Sequence, residues 1–279
     1  MTRIAILQMT SGIDSQANLR AIDDAARKAA GEGAEILFTP EMSICLDRDR
    51  KRAAPWIDGS GPAEVTAHLS NCASEVGIAI ALGSQAVRAA DGKWANRSMY
   101  FSRHGAGAVN PVTYDKIHMF DVDLESGESW RESNAYQPGS AVVSVADTPV
   151  GKLGLTICYD LRFPALFGEL GDRRCDAIAV PAAFTRSTGQ AHWHILLRAR
   201  AIEASAFIIA AAQVGNHDDG RQTYGHSLVV DPWGEVLLDM GGEEPGLAFC
   251  DLDLARIAEV RAQVPALANR RDIPKLAQT

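Results

Sequence analysis

Residues 3–9 read RIAILQM and residues 35–42 read EILFTPEM, two short apolar runs. Between them, Asn18–Ala30 places Leu19, Ile22, Ala25, Ala26 and Ala29 near helical spacing, and GEGA at 31–34 stops the pattern. Strand, helix, strand is the unit of a sheet covered by helices. The second strand delivers Glu41 at its C-terminal end.

The pattern recurs along the chain. Pro62–Val76 reads as a helix and Ile78–Gly83 as a strand, followed by strands at Asn96–Arg103 and Ala108–Lys116. Ala141–Val145 and Lys152–Ile157 read as a hairpin, Phe163–Leu170 as a helix, Ala177–Val180 as a strand, Gln190–Ala206 as a long helix and Phe207–Gln213 as a strand. His226–Val230 and Glu235–Asp239 pair across the turn Asp231–Gly234, and Leu247–Asp251 closes the sheet region. No repeat or linker interrupts this, so the expectation is one α/β domain with two sheets or one large one over residues 1–260, and an extended arm at 261–279 that packs on the domain or on a partner subunit.

Composition narrows the function. Of 279 residues, 47% are hydrophobic and 22% charged, which excludes a disordered chain, and the formal charge of −8 argues against a nucleic-acid binder. The five cysteines are odd in number and irregularly spaced, which disfavours a disulfide framework or a zinc ribbon. No apolar run suits a signal peptide or a bilayer span, so a cytoplasmic location and no membrane partner are expected. Of the seven histidines, only His192 and His194 are closely spaced, and an i, i+2 pair on a helix faces two ways, so no metal is expected.

Three positions could carry chemistry. Cys158, in LGLTICYDLRFP, stands where a strand turns into a helix; such an elbow exposes a nucleophile, and a helix N-terminus favours a thiolate. The same cysteine could equally be a small apolar residue ending a strand. Glu41 follows an apolar strand at the sheet edge where α/β enzymes place their chemistry, though loop carboxylates are common there. Lys116, in TYDKIHMFD, has apolar neighbours, and a buried lysine needs a carboxylate partner or a task. No GxGxxG follows the first strand and no GxSxG occurs, which disfavours a dinucleotide enzyme and a serine hydrolase of the α/β type.

Taken together, FTPEM, YDKIHMFD and GLTICYDLRFP resemble the glutamate, lysine and cysteine blocks of the nitrilase superfamily of carbon–nitrogen hydrolases, and the likeness runs over nearly the whole chain. ESNAYQPG at 132–139, PAAFTRSTGQAHW at 181–193, LLRARAIE at 196–203 and YGHSLVVDPWG at 224–234 are similar to its amidase branch, nearest to the deaminated glutathione amidases and the omega-amidases. The resemblance implies a four-layer α-β-β-α sandwich, a homodimer formed through the helices flanking the cysteine elbow, and no cofactor. It implies Cys158 as nucleophile, Glu41 as general base, Lys116 as oxyanion partner and Glu132 as the residue orienting Lys116 and the substrate. The expected reaction opens a small anionic amide through a thioester, with release of ammonia. Tyr159, through its N–H, and Phe184 and Thr185 are expected to contact substrate. Arg162 and Arg186 are candidate carboxylate anchors, although for Arg162 pairing with Asp160 or Glu169 is the preferred reading; Arg198, Arg200 and Glu203 suit an ion-pair network, and Trp193 suits packing. A nitrilase, an N-carbamoyl amino acid hydrolase and a non-catalytic binding module are the competing readings.

Overall fold

The computed structural model describes residues 1–103, 110–124, 127 and 129–274. The first residues of the strand expected at Ala108–Lys116 and the last five of the arm lie outside the described residues.

Two six-stranded sheets form the centre. The first contains β1 (Thr2–Gln8), β2 (Ile36–Phe38), β3 (Ala79–Arg88), β4 (Trp94–Phe101), β5 (Val112–Asp115) and β16 (Gly246–Leu252). Its order is β16-β1-β2-β3-β4-β5, with β1, β2 and β3 parallel and the outer strands antiparallel. The second contains β8 (Ser144–Thr148), β9 (Gly151–Leu155), β10 (Ala177–Ala179), β11 (Phe207–Ala210), β14 (Leu228–Val230) and β15 (Val236–Asp239), in the order β15-β14-β11-β10-β9-β8, again with a parallel centre. Two small ribbons, β6 (Asp121–Asp123) with β7 (Ser129–Arg131) and β12 (Val214–Asn216) with β13 (Gln222–Tyr224), stand outside the sheets.

Strand alternation explains the layering. Ile4, Ile6, Ile36, Phe38, Ala79 and Ala81 face inward and pack in one core with Leu153, Leu155 and Ile178 of the second sheet. Their neighbours Ala5, Leu7, Leu37, Ile80 and Leu82 face outward onto α1 (Ser15–Gly31) and α3 (Gly61–Val76), a separate apolar cluster. Helix α1 buries the stripe its spacing marks, Leu19, Ile22, Ala25, Ala26 and Ala29, and Asp14 caps it by accepting from the N–H groups of Gln16 and Ala17. The outer face of the second sheet is covered by α4 (Pro164–Asp172) and α5 (Arg186–Ala204), through Leu166, Phe167 and Leu170 and through Trp193, Leu197, Ala201 and Ala204. The order of layers is therefore helix, sheet, sheet, helix.

Several boundaries differ from the sequence reading. Helix α5 starts at Arg186 rather than Gln190, with Thr185 at its N-cap. The β8 strand starts at Ser144 rather than Ala141, so the hairpin register shifts. The short α2 (Arg50–Ile57) holds Pro55 and three basic residues, which hide it from a periodicity search. Helix α6 (Ala255–Gln263) runs through position 261. Arg261 there donates to the carbonyls of Cys175 and Ser205, and Arg270 beyond it pairs with Asp172 at 2.6 Å. No helix among the described residues is long and apolar enough to cross a membrane.

Candidate active site

Four loops meet where the two sheets face each other. Glu41 stands just beyond β2, and Met42 after it has φ of +53°, a left-handed turn that a non-glycine residue adopts at a cost of about 1–3 kcal/mol. The turn is held by the Met42 N–H donating to Ser84 Oγ at 2.8 Å and by Gln213 Nε2 donating to the Glu41 carbonyl at 2.9 Å. Gly83 lies so close beneath it that a Cβ would strike the carbonyl oxygens of Thr39 and Pro40. Lys116 stands just beyond β5 between backbone bonds to Asn96 and Gly139, and a side chain at Gly139 would strike the Asp115 carbonyl.

Cys158 follows β9 at φ of +47°, opening a 3₁₀ turn over Cys158–Arg162, with its N–H donating to the Pro181 carbonyl at 2.8 Å. Asp160 in that turn is fully buried and joins it to the lysine strand. Its carboxylate accepts from the Tyr114 hydroxyl at 2.6 Å, the Ile157 N–H at 2.9 Å and the His118 N–H at 3.1 Å, and lies 2.7 Å from His118 Nδ1. The carboxylate is therefore not the partner of Arg162. That guanidinium lies 3.3 Å from His192 Nδ1 and over the rings of Tyr159 and Phe184.

The side chains converge. Lys116 Nζ, 2% exposed, donates to Glu41 Oε1 at 3.0 Å and to Glu132 Oε1 and Oε2 at 3.1 and 2.9 Å. Glu41 Oε2 accepts the Ala183 N–H at 3.0 Å, and Glu132 Oε2 accepts the Phe120 N–H at 2.7 Å. The Cys158 sulfur is set beside the Glu41 carboxylate and the Ala183 N–H, and both act on its charge. Asn96 donates to Glu41 at 2.9 Å and to Glu132 at 3.4 Å, locking the two carboxylates in one plane of contacts. Sequence reading passed over Asn96; the signal was an amide in the interior of a strand, where Asn is depleted.

The electrostatics follow from burial. Desolvation pushes the Cys158 thiol well above its ordinary value, and the Glu41 charge adds to this; Lys116 and the Ala183 N–H offset only part. The pull of a helix N-terminus toward a thiolate is thus opposed by burial and by the Glu41 charge. Burial also opposes the Lys116 charge, but Glu132 and then Glu41 outweigh it and hold the ammonium well above a free lysine.

A cavity of about 340 Å³ opens over these groups. Tyr159, Phe184 and Thr185 line it, as do Asn96, Phe120, Trp130 and Tyr136. Arg162 and Arg186 do not; the arginines in its wall are Arg48, Arg50, Arg131 and Arg221. Arg50 donates to the Asn134 carbonyl, Arg131 pairs with Asp123, and Arg221 pairs with Asp219 at 2.6 Å. The Arg48 guanidinium has no carboxylate partner among the described residues. On the long helix, Arg200 pairs with Glu203 at 2.8 Å, Arg198 donates instead to the Gly234 carbonyl, and Trp193 is buried.

Known proteins share both sequence and shape with this chain. The family description "Carbon-nitrogen hydrolase" matches residues 3–262. A deaminated glutathione amidase of Yersinia enterocolitica is 39% identical over 282 residues, covering 98% of this chain and 94% of its own. The NitFhit protein of C. elegans superposes with a TM-score of 0.88 at 33% identity, over 97% of this chain and 65% of that longer one. An amidase of the nitrilase superfamily from Nesterenkonia sp. AN1 superposes with a TM-score of 0.79 at 27% identity, over 97% and 94% of the two chains, and has been solved with the acetamide moiety of fluoroacetamide attached to its active-site cysteine. Since the family match runs from the first strand to the last helix, and the relatives it brings with it are amidases, this chain belongs to the carbon–nitrogen hydrolases of the nitrilase superfamily and is an amidase.

Proposed function

We propose that the chain hydrolyses the C–N bond of a small anionic amide, such as deaminated glutathione or an omega-amide of a 2-oxo acid, through a thioester on Cys158. The observation that carries this reading is the buried Glu41–Lys116–Glu132 bridge against the Cys158 thiol, at the floor of a cavity walled by four arginines. Two of these arginines, Arg48 and Arg50, have no carboxylate partner among the described residues, which favours an anion at this place on a chain of formal charge −8.

The proton path follows from the resting state. Burial and the Glu41 charge both favour keeping the proton on sulfur, and Glu41 takes that proton as sulfur attacks the carbonyl carbon. The carbonyl oxygen becomes an oxyanion facing Lys116 and the Tyr159 N–H, a group in the first helical turn that lacks an intrahelical acceptor. Glu132 grips Lys116 through both oxygens, so one ammonium N–H turns to the oxyanion while the other contacts persist. Glu41 then protonates the departing nitrogen, the C–N bond breaks, and the acyl group remains on sulfur. Water enters, gives its proton to Glu41, and attacks the thioester; the acid leaves and the thiol is restored. On a primary omega-amide the nitrogen leaves as ammonia. The amide nitrogens of glutathione are secondary, so on its deaminated form the nitrogen leaves as an amine, and ammonia is not the general product.

Assembly as a homodimer belongs to the same proposal, supported by Ile195 and Ile202, seven residues apart and 70% and 50% exposed on one stripe of α5. The test of the function is a substrate panel read for both ammonia and amine: deaminated glutathione, omega-amides of 2-oxo acids, aliphatic amides, a nitrile and an N-carbamoyl amino acid. Preference for the first two supports the reading. A nitrile or a carbamoyl compound as best substrate overturns it.

A further inference from the structure

Beyond β13, which walls the cavity, the chain reaches a second cluster of ionisable groups that the amide chemistry leaves unused. His226 Nδ1 lies 2.9 Å from Asp239 Oδ1 and 3.1 Å from Oδ2, and His194 Nε2 lies 2.9 Å from Asp239 Oδ2. One ligand-type atom from each residue lies within 4.8 Å of the other two. None of the three lines the cavity. The closely spaced histidines of the sequence, His192 and His194, are not partners; His192 turns to Arg162 instead.

Three elements bring these groups together and hold them in place. Trp193, buried beside His194 on α5, donates from Nε1 to the His226 carbonyl at 2.8 Å, so the backbones bearing the two imidazoles are clamped to each other. The His226 N–H donates to the Gly241 carbonyl at 2.8 Å, and the Gly241 N–H donates to Asp239 Oδ1 at 2.9 Å. His226 itself sits at φ of +54°, and its ring stacks on Tyr224 at 4.4 Å. A site fixed in this way loses little entropy when an ion arrives.

The donor set selects the ion. Ligands at about 2.0–2.1 Å around a tetrahedral centre stand about 3.3 Å apart, and the two imidazole nitrogens lie 2.9–3.1 Å from the Asp239 oxygens and within 4.8 Å of each other. Two imidazole nitrogens and one carboxylate suit zinc-type ions, whereas calcium and magnesium take oxygen ligands. Each imidazole can turn a lone pair inward by carrying its proton on the other ring nitrogen. All three side chains are between 24% and 33% exposed, which leaves a fourth position to water.

We propose that His194, His226 and Asp239 form a binding site for one divalent transition-metal ion of the zinc type, pinning α5 to the β14–β15 hairpin. The test uses tag-free, metal-stripped protein titrated with Co²⁺ and followed by visible absorption and calorimetry. One equivalent should bind with the intense bands of four-coordinate cobalt, and Zn²⁺ should displace it and raise Tm. His194→Ala and Asp239→Asn, each checked for native circular dichroism, should weaken binding by more than about 100-fold, since loss of even an outer-shell partner costs about 10–100-fold. His192→Ala should bind as the parent does. Equal affinity in parent and His194→Ala, a thiolate-to-cobalt charge-transfer band, or equal competition by Mg²⁺ would each overturn the assignment. None of these readouts depends on amide turnover.

Discussion

The Tyr114 hydroxyl and the Asp160 carboxylate, 46 residues apart and 2.6 Å from each other, tie the strand that ends at Lys116 to the turn that carries Cys158. Burial, then the Asp160 charge, raises the Tyr114 phenol far above its usual value, so it remains a donor at every working pH. Tyr114→Phe removes one charge-assisted hydrogen bond while His118 and the Ile157 N–H still hold Asp160. We expect a loss of about 1.5–3 kcal/mol in urea unfolding, together with a fall in kcat as sulfur and ammonium lose their mutual alignment. An unchanged unfolding midpoint would show that this contact is not the tie described.

Glu41 raises the Cys158 thiol, so removing its charge should lower it. In Glu41→Gln, the pH midpoint for alkylation of Cys158 by iodoacetamide should move to lower pH, since Lys116 then acts on the sulfur without opposition. Amide turnover should nonetheless fall by about 10²–10⁴-fold, the usual contribution of a general base. A midpoint that moves upward would contradict the charge arrangement, and turnover retained in Cys158→Ala would remove the sulfur from the reaction.

Lys116, itself buried, is bonded to buried Glu41 and to partly buried Glu132. Lys116→Met should therefore cost about 3–5 kcal/mol, because Glu41 and Glu132 are left facing each other in a dry site. Adding Glu132→Gln should return part of that stability without returning activity. If the double variant is no more stable than the single one, repulsion between the carboxylates is not the cause.

Of the cavity arginines, Arg48 and Arg50 pair with no carboxylate among the described residues, and Arg50 is held by the Asn134 carbonyl and the Trp94 ring, which leaves Arg48 to bind a substrate carboxylate. Succinamate and 4-methylpentanamide match in heavy-atom count and branching, one anionic and one neutral. The ratio of their kcat/KM values should fall in Arg48→Ala by about 10-fold or more, mainly through KM, and recover partly in Arg48→Lys. A ratio that does not move would assign anion selection to another part of the wall.

Glu41 and Cys158 were legible as candidates because each follows an apolar strand, Lys116 because apolar residues flank it, and the three short blocks repeat a known family's order. The helices α1 and α3 were legible for the same reason, through their apolar spacing. Asn96, Arg48 and the Asp160 linkage were not, since each acts on residues distant in the chain and its surroundings exist only after the sheets dock. Arg162 shows the limit from the other side: its neighbours in sequence, Asp160 and Glu169, looked like partners, but the folded backbone turns the first inward and leaves the guanidinium over aromatic rings. The His194–His226–Asp239 cluster likewise draws its members from a helix, a loop and a strand end, with no short-range signature.

Glu41 and Lys116 come from one sheet and Cys158 from the other. Neither half of the molecule alone holds both the sulfur and the group that would take its proton. If the proposed roles hold, a chain that has folded only its first half turns over no amide, and recovery of turnover during refolding should trail the recovery of secondary structure, reporting the moment at which the halves close on each other.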